Sequence, residues 1–491
     1  MIQILMLAAV CVLISAAAFS EEKITLNKKD SGYRGIWYMN QPSGDQYVYK
    51  YSGGLGTYCA KHRPFAVYCP EVRKTFFCYG GTEEGSWNRP EIGKAGNDRK
   101  DLPGFLLHEV GFFDHTTGEV CRPTILLDKR TIDAHDNPVI SVDHSGYIWI
   151  FSTSHGRMRP SCVHRSRKPY DIEAFDLIQP VRREGGKREA ITNFSYMQPW
   201  HCPGKGFIAF FTKYNYPATR TSCFMTSGNG TDWSGWKRLA AIGEGHYQIS
   251  AVCSRGAGTA FNYHPREKGL NWRTNLYYIQ TGDMGRSWQN VRGESVRAPL
   301  KKAKNRALVH DYASEGLNVY VKDICYDARN HPVILYVTSR GYEAGPKNDP
   351  RTWTTARWTG AGWDINPVCT SDSNYDTGSL YIESRSVWKV IGPVETGPQP
   401  GNPGGEVVLW ESRDRGRTWK KVRQLTEKSE RNHNYVRRPV NAHPDFYAFW
   451  ADGHGRKPSR SVLYFSDSTG NVYRLPETMK KERMKPEPLN Q

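Results

Sequence analysis

No stretch of this chain carries apolar residues at i, i+3, i+4 and i+7 over any length, which excludes a fold built on long amphipathic helices. Beyond the opening segment, no uncharged apolar run is long enough to span a bilayer. There is no C-x-x-C pair, and the cysteine spacing fits no zinc signature. Acidic residues are in short supply: 49 Asp and Glu face 67 Lys and Arg, a formal net charge of +18 at pH 7. No Lys/Arg run is interleaved with aromatics, so a nucleic-acid groove is not expected. The excess positive charge suits an acidic polysaccharide or an anionic surface, the alternative being a dispersed basic surface that serves solubility.

What is abundant points to strands. Aromatics (15 Trp, 28 Tyr) and turn formers (46 Gly, 29 Pro) together indicate many short strands, in a sandwich, barrel or propeller. A length of 491 residues allows one large domain or two or three small ones. Residues 1–20 form an uncharged apolar run ending in small residues, expected to be a secretory signal peptide and hence to direct the chain to the periplasm or the medium. The run lacks a basic start, so an uncleaved anchor is the alternative. Setting Cys11 aside leaves ten cysteines. Cys69, Cys78, Cys223, Cys253 and Cys325 fall in predicted strands, where free buried thiols are expected rather than a disulfide framework.

The segment from His135 to Gly156 organises the rest. Pro138–Val142 reads as one strand, Asp143–Gly146 as a turn, and Tyr147–Thr153 as the returning strand. Antiparallel pairing brings His135 and His155 together at the open end. Its second strand recurs as aromatic and β-branched runs starting at Lys74, Gly206, Thr259, Val333, Val387 and Phe446. The mean spacing is about 62 residues, longer than the ~40–50 of compact propeller repeats, and the surplus goes into loops. Thr281–Trp288 and Ser412–Trp419 fit an Asp-box turn, and Thr226–Trp233 keeps only its glycine and tryptophan. The expected fold is all-β, a seven-bladed β-propeller of four antiparallel strands per blade over residues 21–478. Tyr33–Asn40 is expected to supply a closing strand beside Val472–Pro476, and the basic tail 479–491 to be disordered.

In such a fold the start of strand one, the end of strand two and the start of strand three of every blade share a rim. That rule groups His135, His155, Tyr196, Arg220, Tyr263, His264, Arg340, Arg437, Arg438 and His62 around one mouth. Singly, each has a bland explanation: a satisfied core histidine, strand-end aromatic packing, or a solvated charge. Two histidines, two tyrosines and an arginine from consecutive blades converging on one rim favour a functional site.

Four strings carry a family resemblance: Tyr51–Val72, the His135–His155 hairpin, Ser339–Trp353 and Arg437–Gly453. In them the chain resembles the secreted propeller polysaccharide lyases with neuraminidase-type repeats, the ulvan lyases, and their sister group, the propeller α-L-rhamnosidases and lyases acting on rhamnose–glucuronic acid ends. The resemblance implies a catalytic set of His135, His155, Tyr196, Arg220 and Tyr263. From the rhamnosidase group it implies His62 as a hydrolytic residue on another face. Structural Zn or Ca ions occur in some relatives, and elimination itself requires no cofactor.

These residues suit β-elimination on a uronate-containing, ulvan-like polysaccharide. An arginine fork can pair with the carboxylate as the C5 proton leaves. A neutral histidine can take that proton, and a tyrosine can protonate the departing O4. Which His or Tyr does which stays open at this level. Two other readings remain: a hydrolase releasing terminal rhamnose, and a non-catalytic propeller that binds acidic glycans. Paired carboxylates for hydrolysis are scarce near this rim, Asp136 and Asp452 being the nearest.

Overall fold

The computed structural model describes residues 24–489, so the expected signal peptide lies outside the described residues. Strands dominate, and the described helical pieces are single 3-10 turns of three residues. Among the described residues no helix is long and apolar enough to cross a membrane.

The strands run as successive antiparallel meanders. The first comprises Ala66–Cys69, Lys74–Gly81, Leu107–Asp114 and Thr124–Asp128. The second is Pro138–Val142, Ile148–Ser152, Cys162–Ser166 and Phe175–Ile178. The third is Ser195–Cys202, Gly206–Tyr214, Arg220–Ser227 and Lys237–Ala240. Gln248–Cys253, Gly256–Tyr263, Thr274–Thr281 and Leu308–His310 form the fourth. Asn318–Tyr326, Pro332–Ser339, Arg351–Trp358 and Trp363–Ser371 form the fifth. The sixth is Ser379–Ile382, Trp388–Thr396, Gly405–Ser412 and Lys420–Gln424. Asn432–Arg437, Ala448–Gly453, Leu463–Ser466 and Val472–Arg474 make the seventh. Each recurring aromatic run of the sequence falls on or overlaps the second strand of one meander. The central hairpin forms as expected, with Val142 opposite Ile148.

Buried polar side chains tie neighbouring meanders together, satisfying groups that would be costly to bury unpaired. Ser250 donates to Gln198 Oε1, Asn262 to the Val319 carbonyl, and Ser379 to the Val436 carbonyl. The seventh meander meets the first through Val440, whose N–H donates to the Ala66 carbonyl while Tyr68 N–H donates back. Aromatic side chains fill the space between sheets, with Trp149, Trp233, Trp353, Trp388 and Trp450 fully buried. The Asp-box turns dock there too. Asp283 accepts from the N–H and hydroxyl of Ser287, and Asp414 does the same for Thr418. In the third such turn Asn229 takes the aspartate's place, accepting from the N–H groups of Thr231 and Asp232.

Two edge segments differ from expectation. Trp37–Pro42 pairs with Tyr49–Gly54 as a separate hairpin, and Lys28–Lys29 pairs with the fourth strand of the first meander. The strand beside Val472–Arg474 is instead Glu487–Pro488. The described part of the tail is therefore ordered, with Arg483–Met484 pairing Val120–Cys121. Its basic composition favours disorder, but two open sheet edges offer backbone partners that composition cannot register. All ten described cysteines are free, six of them buried.

Candidate active site

One cleft gathers side chains from six of the meanders and from the N-terminal hairpin. His135, His155, Tyr196 and Arg220 line it together, as the strand-direction rule expected. Around them stand Tyr51, Tyr58, Tyr247, Tyr320, Tyr375 and Tyr435, with Lys50, Lys61, Arg273 and Lys322. None of the described lining residues is Asp or Glu.

The two histidines share one carboxylate. Asp133 caps the short turn before the second meander, accepting from His135 N–H, and its two oxygens then reach two imidazoles. Oδ1 lies 2.6 Å from His135 Nδ1, and Oδ2 lies 2.7 Å from His155 Nδ1. The rings stack at 3.9 Å between centroids. Arg159 holds the carboxylate in place at 3.2 Å and also grips Asp136 at 2.6 Å. These three side chains bring donor atoms within 4.8 Å of one another, as a metal site would. Both Nδ1 atoms are nonetheless spent on Asp133, which makes the unit a hydrogen-bonded pair of bases.

The two imidazoles are not equivalent. His135 Nε2 meets Tyr58 Oη at 2.6 Å and Tyr51 Oη at 2.8 Å, so both its nitrogens are occupied. Burial, reinforced by the charge of His155, lowers its pKa to about 4, and it stays neutral near pH 7. His155 is more open and lines the cleft, and the nitrogen it commits to Asp133 is Nδ1. Burial lowers its pKa as well, but the charge and hydrogen bond of Asp133, with Asp136 behind, outweigh burial and raise it above the ordinary value.

Tyr196 has φ 53°, the left-handed region that bulky residues rarely occupy, at a register shift in its strand. Tyr435 repeats this arrangement, again with φ 53°, in the seventh meander. Each irregularity lies in a first strand at a ring that lines the cleft, a local distortion of the kind found at functional sites. Tyr214 Oη donates to Tyr196 Oη at 3.1 Å.

Arg220 opens the third strand of its meander, with its guanidinium 5.6 Å from the Tyr214 ring and 5.3 Å from the Tyr247 ring. Its Nε and Nη1 are buried without a hydrogen-bond partner. Arg273 is held between Tyr247 and Tyr320, and its Nε is likewise unpartnered. Burial lowers the Lys61 ammonium to about 7 and that of Lys50 to about 8. A cluster of desolvated cations with spare donors and no lining carboxylate is built to receive an anion.

Several expected residues lie elsewhere. Tyr263 is not among the residues lining the cleft and packs on Tyr277 at 6.2 Å; Tyr247, one residue ahead of the fourth meander, stands in the cleft instead. His264 is fully buried, its Nδ1 2.8 Å from the Trp272 carbonyl oxygen and its ring supporting Tyr247 at 5.2 Å. Arg340 is exposed and outside the lining. Arg437 is spent on the Thr57 and Cys59 carbonyls, and Arg438 on Asp323. His62 has no exposed surface and no partner on either ring nitrogen; it sits beneath the cleft, 5.7 Å from the Tyr196 ring. Asp452 is committed to Arg431 and Tyr464, and Asp136 to Arg159. Asp133, Tyr51, Tyr58, Tyr247 and Arg273 were not anticipated. The strand-start rule applies to Tyr247, and Asp133 stands two residues before His135 at a cap position.

Residues 108–370, more than half of the chain, match the model of the BNR repeat-containing family. The chain belongs to that family. Its BNR-family sequence is similar to an ulvan lyase of Nonlabens ulvanivorans, 24% identical over 358 residues that cover 65% of this chain and 70% of that protein. An ulvan lyase of Alteromonas sp. (strain LOR) is 21% identical over 376 residues, 68% of this chain and 74% of that protein. Among solved structures, a PL25 ulvan lyase bound to -[GlcA(1-4)Rha3S]- superposes with a TM-score of 0.64 at 14% identity, covering 90% of this chain and 96% of that one. The polysaccharide lyase Uly1 gives a TM-score of 0.56 at 11% identity, covering 90% and 98%. These likenesses show a shared fold.

Proposed function

We propose that this chain is a seven-bladed β-propeller polysaccharide lyase that cleaves a glucuronate- and rhamnose-containing, ulvan-like polysaccharide by β-elimination. The observation that carries this reading is the pairing, in one cleft, of a carboxylate-bridged imidazole pair with an arginine whose Nε and Nη1 are unspent. Seven successive antiparallel meanders, the seventh hydrogen-bonded to the first through Val440 and Ala66, support the propeller. The curated relatives named as ulvan lyases support the substrate class.

Arg220, with Arg273 beside it, pairs with the uronate carboxylate and stabilises the negative charge that develops as C5 loses its proton. His155 is the base. Its Nδ1–H donates to Asp133, which leaves the Nε2 lone pair for the C5 proton. The electron pair of the C5–H bond forms the C4–C5 double bond, and the C4–O4 bond breaks. A tyrosine hydroxyl gives O4 its proton. Tyr196 serves best, because its hydroxyl is re-supplied by Tyr214 and burial keeps its proton in place. His135 acts as a fixed neutral partner that sets the position of Asp133 and Tyr58. The chemistry as written calls for no cofactor. The apolar Met1–Ser20 segment supports export to the periplasm or medium, where such a polymer would be met.

The absence of a lining carboxylate among the described residues weighs against paired-carboxylate hydrolysis. The test is ultraviolet absorbance during digestion of ulvan and other uronate polymers. Absorbance that rises as unsaturated uronate forms, and that falls ~10³-fold in rate in His155→Ala, is the expected result. Free rhamnose with a flat trace would move the chemistry to hydrolysis, and polymer binding with neither product would make the chain a glycan-binding module.

A further inference from the structure

Far from the cleft, two histidines and an aspartate meet across the seam between the first and seventh meanders. His115 follows the third strand of the first meander, while His443 and Asp445 lie in the turn joining the first two strands of the seventh. Strand direction puts all three on the face opposite the cleft. The imidazoles lie 3.9 Å apart between ring centroids. Asp445 Oδ2 is 3.6 Å from His115 Nδ1 and 3.5 Å from His443 Nδ1.

We propose that His115, His443 and Asp445 form a binding site for a zinc-type divalent cation that clasps the first meander to the seventh. The spacing fits. Ligands ~2.0–2.2 Å from a tetrahedral zinc stand about 3.4 Å from one another, close to the separations seen. Two imidazoles and one carboxylate favour zinc over calcium or magnesium, which prefer all-oxygen shells. The fourth position opens to solvent on the side of Asp445, the exposed member.

A second observation points to a ligand. His115 is nine-tenths buried, and its Nδ1 has no hydrogen-bond partner, although its Nε2 is held by Thr75 Oγ1 at 2.8 Å. A ring fixed by one nitrogen, with the other facing only the Asp445 carboxylate at 3.6 Å, is how a metal-ligating histidine is prepared. Tyr68 walls both rings, at 5.1 Å from His115 and 4.7 Å from His443. His443 Nδ1 takes the Asp445 N–H at 3.2 Å, a long bond that the metal would replace. Asp114 adds a further negative charge near His115. No sequence signature announces the site, because its halves come from opposite ends of the propeller chain.

The test uses the full chain, stripped with chelator and titrated with zinc, with bound metal measured by elemental analysis and stability by thermal melting. Variants are His443→Ala, Asp445→Asn and, as a control on the cleft, His155→Ala. The expected result is one zinc retained by the native chain and by His155→Ala, with a melting temperature raised by about 3 °C at zinc ~100-fold over Kd. Both seam variants should lose that equivalent and the shift while melting normally without zinc. Cobalt in place of zinc should give a tetrahedral visible spectrum that both seam variants lack. Zinc kept by the seam variants, zinc lost only in His155→Ala, or no retention by the native chain would each overturn the proposal.

Discussion

Asp133 decides what the two histidines can do. Without its charge, burial would push both imidazoles down; with it, His155 alone is raised. A base works only when neutral, so turnover should climb as pH rises through the raised pKa of His155. In Asp133→Asn the burial effect dominates, and the ascending limb of the pH–rate profile should move to lower pH. The maximal rate should also fall by about 10–100-fold, since the amide no longer fixes the Nδ1–H tautomer. A limb that stays in place would separate His155 from the proton transfer. Tyr247 gives a second check: Tyr247→Phe should lower kcat/KM, whereas Tyr263→Phe should leave it within about twofold, because Tyr263 is outside the cleft lining and packs on Tyr277. The histidine pair was legible in the sequence because a hairpin fixes where its ends meet. Tyr263 misled because Tyr and His at a strand end look alike on paper, while the side of the sheet each ring takes depends on packing against Tyr277.

Among the elements, the Asp-box turns link local conformation to inter-sheet packing. Gly285 has φ 80°, and a Cβ there would stand 2.1 Å from the Phe224 ring of the preceding meander. Gly316 has φ 67° with nothing near its missing Cβ. Gly285→Ala should therefore lose about 2 kcal/mol or more, and Gly316→Ala only about 1 kcal/mol, the conformational part alone. Denaturant unfolding of the two variants measures the difference. The aspartates of these turns respond to acid. Burial is the largest single effect and raises the Asp283 pKa, but the hydrogen bonds from Ser287, Thr281 and Arg286 together outweigh it and lower the carboxyl to about 2. Its contribution is present above about pH 4 and lost as pH falls through about 2, so the stability gap between native chain and Asp283→Asn should close on acidification. Second strands were readable because they are largely buried runs of aromatic and aliphatic residues. The tail and N-terminal segment were not, because their strands of two residues are defined by the edges they meet, which no local pattern reveals.

At the scale of the molecule, the net charge of +18 and the cationic cleft act together on a polyanion. Raising NaCl from about 50 mM to about 0.5 M shortens the screening length to a few ångströms, and KM for the polymer should rise several-fold while kcat holds within about twofold. A KM indifferent to salt would mean that the surface charge serves solubility alone. The free cysteines carry one more consequence. Cys69, Cys78 and Cys121 lie in the first meander, Cys223 in the third and Cys325 in the fifth, all shielded. Burial raises the Cys69 thiol to about 12 and that of Cys121 to about 11, so none is a ready nucleophile while its sheet is closed. Each becomes an alkylation reporter the moment its own sheet opens. Timed labelling followed by peptide mass mapping would read the opening free energy sheet by sheet, without a single engineered probe.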